Sequence, residues 1–135
     1  MAKESGMGFS CIIDESDGNA RTISNDITNL QISTPRAVQD ITGLDKSAME
    51  RLLLLADSQL TVNGVFNDAS DMSHEVFKTV PSTSVARTAT LAISGQTLTA
   101  GELMFTDYNL NRAADGSLTF SAPGQLSNGT APSWS

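Results

Sequence analysis

Apolar residues in this chain alternate with polar ones far more often than they recur at helical spacing. The longest regular run is 59–68, where Leu60, Val62 and Phe66 share one face with Gly64 between them and Thr61, Asn63, Val65 and Asn67 share the other. This spacing predicts a strand buried on one side, and Gly64 inside it marks a bend or a close backbone approach. Phe9, Cys11 and Ile13 alternate in the same way and predict a first strand. Ile23, Ile27, Leu30 and Ile32 predict two short strands joined by an irregular step near Asn25 and Asp26. Pro35 then interrupts pairing, because proline cannot donate to a ladder, and extended structure resumes at 38–41. Ala89, Leu91 and Ile93 alternate with threonines up to a hairpin turn at Ser94-Gly95. Across 97–112 the apolar parity changes near Gly101 and again near Thr106-Asp107, which predicts bulges in a curved strand. Asp115-Gly116 forms the next turn, and Leu118, Phe120 and Ala122 run back from it.

Two segments depart from alternation. At 46–56, Ala48, Leu52 and Leu55 form a stripe with Met49 and Leu53 alongside, which predicts one short helix. Its start is either a capping box of Ser47 with Glu50, or an Asp45 cap that sets Leu44 against Met49. One side of this helix would pack on the sheet, and the other, through Leu53 and Leu54, would meet a neighbouring subunit. At 73–78 a second helical turn, capped by Asp71 or Ser73, would bury Val76 and Phe77. The expected fold class is therefore mainly β: a single-domain β-sandwich or barrel with these two helical pieces.

Length and composition sharpen the picture. A chain of 135 residues suits one domain, and with 39% hydrophobic but only 5% aromatic residues its core must be aliphatic. Residues 1–8 and 124–135 are small and polar and read as arms around a β domain at 9–123, ordering only when subunits assemble. Trp134, beside the terminus, is a candidate contact. A formal net charge of −7, with the basic residues scattered singly, excludes a partner held by clustered phosphate contacts. A single cysteine allows no intrachain disulfide, and no run of eighteen apolar residues is present to span a membrane. Assembly in a cytoplasm is the expectation.

No catalytic constellation emerges: there is no Gly-x-Ser-x-Gly, no phosphate-binding glycine loop, and a lone His74 without a second ligand at metal spacing. The carboxylates around 14–19 miss the calcium-loop spacing and read as a turn. The expectation is a protein that is not an enzyme and needs no cofactor or metal.

The Thr/Gly turn, capped helix and long strand closing on Gly-Val-Phe-Asn-Asp at 64–68 resemble the central region of the major tail tube proteins of long-tailed bacteriophages. The paired runs at 103–112 and 118–123, with the Gly/Pro-rich end carrying Trp134, resemble their closing half. The resemblance implies a virion protein forming hexameric rings, each subunit adding about four strands to a shared barrel, stacked into a hollow tail. Its partners would be further copies of itself, the tape measure, tail terminator and tail tip proteins, and DNA in transient, non-specific passage. A barrel of about 24 strands at about 4.8 Å spacing has a backbone diameter of roughly 35–50 Å, wide enough for a duplex. In that family a loop between two early strands projects toward the next ring; here it would fall at about 33–38, with Pro35 and Arg36, and would be short. Asp40, Glu102 and Asp107, in or beside alternating strands, are candidate lumen acids that would repel phosphates within about 8–10 Å. The alternative is a small β-sandwich binding module on a virion or cell surface, recognising a glycan or protein through Tyr108 and Trp134.

Overall fold

A computed structural model of the chain describes residue 3 and residues 5–135. Parts of the arm expected at 1–8 therefore lie outside the described residues. The strands are β1 (Ser10–Asp14), β2 (Ala20–Thr22), β3 (Ile27–Ser33), β4 (Arg36–Asp40), β5 (Arg51–Ala56), β6 (Gln59–Val65), β7 (Arg87–Ile93), β8 (Gln96–Phe105), β9 (Asn109–Arg112), β10 (Leu118–Leu126) and β11 (Ser133–Trp134). A 3-10 turn covers Ser24–Asp26, and one short helix, α1, covers Ser73–Phe77.

The main sheet runs β2-β1-β7-β8-β10-β6-β3, with β9 also on β10 and β11 also on β8, and every pairing is antiparallel. Side chains at period two feed one core: Cys11 and Ile13 from β1, Ala89 and Leu91 from β7, Leu98 and Leu103 from β8, Phe120 and Ala122 from β10, Leu60 and Val62 from β6. A sheet whose alternate residues all enter one cluster must curl around it. Its two ends meet at the 3-10 turn, where the Ile23 amide donates to the Cys11 carbonyl at 3.0 Å and the Cys11 amide to Ser24 Oγ at 3.2 Å.

The close approach expected at Gly64 is present. A Cβ there would sit 2.3 Å from the Asp26 carbonyl oxygen and 2.9 Å from the Phe120 ring, so only glycine fits. The hairpin turn at Ser94-Gly95 has positive φ at both residues, and the bulge near Gly101 places that glycine at φ 92°.

Helix α1 lies where 73–78 predicted it, but neither Asp71 nor Ser73 caps it. The Asp26 carboxylate does so from across the fold, accepting the Ser73 amide at 3.0 Å and Asn67 Nδ2 at 2.9 Å. Phe77 then packs within 5.2–5.7 Å of the rings of Phe105, Phe120 and Tyr108. Arg87 is buried behind it. Its guanidinium donates to the carbonyls of Val76 at 2.7 Å and Asp14 at 3.2 Å and to Thr79 Oγ1 at 2.8 Å, and burial pushes its pKa down.

The helix expected at 46–56 is not formed. Arg51–Ala56 is strand β5, paired with β4 through Val38↔Leu53, Gln39↔Leu52 and Asp40↔Arg51. A short leucine run satisfies helix and strand periodicity alike, and here pairing decides. β5 leads almost directly into β6, so an extended partner was already committed. The segment from 124 onward, expected as an arm, is also paired: β10 runs to Leu126, and Ser133 and Trp134 pair with Thr99 and Leu98 of β8.

Candidate assembly surfaces

The two strands β4 and β5 form a sheet of their own, continuous along the chain with β3 and β6. All of their residues are exposed except Ala56. A two-stranded ribbon alone is marginal in water, so its local bonds matter. At the base, the Asp57 amide donates to the Pro35 carbonyl at 2.9 Å, and Arg36 Nη2 and Nε donate to the Leu54 carbonyl at 2.7 and 3.1 Å. Near the tip, the Ile41 amide donates to the Glu50 carbonyl at 3.0 Å, and Asp40 Oδ1 accepts the Thr42 hydroxyl at 2.6 Å and amide at 2.9 Å. Those two bonds hold the Asp40 carboxyl below its usual pKa. Thr42 Oγ1 in turn accepts the Glu50 amide at 2.8 Å.

On this frame Val38, Ile41, Leu44, Met49 and Leu52 to Leu55 all stand in solvent, Leu55 with 87% of its surface exposed and Leu53 with 57%. Isolated exposed leucines need no explanation, but a contiguous apolar ribbon without cover does. The projection thus spans 36–56, where a short loop at 33–38 was expected. Reading β5 as a helix hid the second strand. Of the residues named from the sequence as separate contacts, Arg36, Leu53 and Leu54 belong to this one hairpin and Pro35 stands at its base.

Two further features are sheet edges. β3 pairs only with β6, and β9 pairs only with β10, at Leu118–Ser121, so the strip β9-β10-β6-β3 is four strands wide there with β3 and β9 as its free edges; farther along, at Gly124–Leu126, β10 pairs with β8 instead. No backbone hydrogen bond from elsewhere among the described residues fills either edge.

The three candidate acids are not brought together. Asp40 lies in the hairpin, Glu102 points from β8 and accepts a hydrogen bond from Thr88, and Asp107 is exposed between β8 and β9. Trp134 is held by backbone pairing to β8, with 58% of its surface exposed. His74 and Tyr108 join a buried aromatic group, Nδ1 to hydroxyl 3.2 Å, and burial raises the Tyr108 pKa to about 12. Among the described residues, no three His, Cys, Asp or Glu are placed to hold a metal ion, and no helix is long and apolar enough to cross a membrane.

No family model and no curated protein matches this chain. Solved structures do. A chain of the virion of a native gene transfer agent particle superposes with TM-score 0.74 at 18% identity, covering 98% of this chain and 99% of its own. A chain from the tail of an empty gene transfer agent particle, solved with helical refinement and C6 symmetry, superposes with TM-score 0.76 at 18% identity and the same coverage.

The chain has the fold of that tail chain. The likeness extends over nearly the whole length of both molecules. What the sequence did not show was that the hairpin and the four-stranded strip share strands. β3 and β6 are both the side wall of the strip and the root of the hairpin. The one available signal was the position of Pro35 between two extended segments.

Proposed function

We propose that this protein is the repeating subunit of a phage-type tail tube. Six copies join edge to edge through β3 and β9 into a ring, and the apolar hairpin Arg36–Ala56 reaches from one ring to the next. DNA passes through the resulting channel during delivery. The role is structural and not catalytic, and the protein's place is the tail of a virion. Its partners are copies of itself, with the tape measure, terminator and tip proteins at the channel's contents and ends.

The observation that carries this reading is the hairpin. Among the described residues it leaves eight large apolar side chains exposed, Val38, Ile41, Leu44, Met49 and Leu52 to Leu55, and it stands on a fold shared with a chain of a C6-symmetric tail. Joining β3 to β9 of a neighbour would remove both open edges at once, the usual remedy for unpaired strands.

A deletion tests it cleanly, because Ser33 pairs with Gln59 directly below the hairpin. Excising residues 36–56 leaves Thr34-Pro35-Asp57-Ser58 as a four-residue turn, a common hairpin length. The expected result is a folded subunit that forms no filaments on a tail-tip seed that elongates the intact protein. Filament growth by the deleted protein would overturn the stacking role.

A further inference from the structure

We infer that the channel wall is the outer face of the strip β9-β10-β6-β3, and that it passes DNA by being uncharged instead of by repelling phosphates. This rests on the tube reading above and assigns a face and a mechanism to it.

The face is identified by three features. In the main sheet β3 and β9 each pair on one side only, so the strip between them can continue from subunit to subunit into a closed wall. Its strands β3 and β6 run on into the hairpin, so they follow the direction in which rings stack, as wall strands of a tube must. The outer side is also concave, with a trough of about 510 Å³ bounded by Thr28, Asn63, Asn109, Asn111, Thr119 and Ser121.

The chemistry of that face is unusual. The chain is 17% charged, yet the seven, seven and nine residues of β3, β6 and β10 include no Asp, Glu, Lys or Arg. Solvated protein surfaces carry roughly 25–35% charged residues, so an outward sheet face without one is not a generic solvent surface. The row crossing all four strands reads Asn29–Asn63–Ser121–Asn109. The only charge in β9, Arg112, lies in register with Leu118, on the inward parity at the end of the strip. Hydroxyls and amides hold water without binding phosphate as a cation would, and without a carboxylate's repulsion. A sliding polyanion then meets neither sticking points nor barriers. Glu102, on β8, and Asp107, between β8 and β9, lie off these four strands.

Tubes elongated from tail tips test both halves. A thiol placed by Ser121→Cys should react in tubes with a small maleimide and not with one carried on a protein too wide to enter, whereas free subunits react with both; Thr90→Cys, on the opposite layer, should react with both in either state. Native Cys11 is buried and gives no background. Tubes with Thr119→Lys or Gln125→Lys should retain added duplex at about 50 mM salt and lose it by about 200 mM, by at least about a thousandfold in affinity. Wild-type and Glu102→Gln tubes should retain it at neither. Labelling of Ser121→Cys tubes by the protein-borne reagent would overturn the face. Retention by wild-type or Glu102→Gln tubes, or none by both lysine variants, would overturn the mechanism. A seeded wild-type protein that forms no tubes would instead remove the tube reading itself, and this proposal with it.

Discussion

Replacing leucines of the hairpin separates assembly from folding. Leu55 exposes 87% of its surface and Leu53 57%, so in the free subunit these side chains contribute little packing. Full burial of a leucine is worth about 1.5–3 kcal/mol, which gives about 2 kcal/mol for the exposed part of Leu55 and about 1.3 kcal/mol for that of Leu53. If the neighbouring ring buries them, Leu55→Ser raises the concentration needed for tube growth about thirtyfold, and the double variant with Leu53→Ser roughly two-hundredfold. Unfolding of the free subunit should change by less than about 0.5 kcal/mol, as for other surface substitutions. Sedimentation of seeded tubes across a concentration series reads the first quantity, and a circular-dichroism denaturation curve reads the second. Growth at an unchanged concentration would refute the stacking role of the hairpin. A matching loss of subunit stability would show that these leucines serve the fold instead.

Other parts of the molecule give independent tests. Asp40→Ala removes the acceptor for the Thr42 hydroxyl and amide and should speed hydrogen exchange at Ile41, Thr42 and Glu50 while leaving β6 protected. The folded pKa of Asp40 is depressed, so its hold on the tip is present above the ordinary aspartate pKa and is lost as the pH falls through the folded value; the same amides should loosen in acid. Arg87→Ala leaves the Val76 and Asp14 carbonyls without their buried donor and should cost about 2–4 kcal/mol in chemical denaturation, releasing α1 first. Burial raises the Cys11 thiol from 9.0 to about 12, so the folded state holds its proton where the unfolded state has lost it. That stability is fully present below pH 9 and declines by up to about 1.4 kcal/mol per pH unit toward pH 12, a slope that Cys11→Ala should remove.

The body of the fold was legible because its signals are local and repeated. Leu60, Val62 and Gly64, the Ser94-Gly95 turn and the parity change at Gly101 each have one physical solution, and each occurs where the spacing put it. The hairpin was not legible for the opposite reason. Leu52 to Leu55 carry no period that separates helix from strand, and the Ser47/Glu50 pattern that reads as a helix cap lies in the tip, where Thr42 takes the Glu50 amide. The cap of α1 was missed because its acceptor, Asp26, is far away in sequence. The candidate acids were chosen by their nearness to strands; which side chains share a face depends on register, and that sets Asn29, Asn63, Ser121 and Asn109 in one row.

The most direct test of the tube account is electron microscopy of the purified protein incubated with tail tips, with end-on views classified by symmetry. The account predicts hollow filaments of stacked six-fold rings, with a lumen bounded by a continuous sheet wall of roughly 35–50 Å backbone diameter. Subunits that remain monomeric beside competent tips, or that assemble without a central channel, would contradict it.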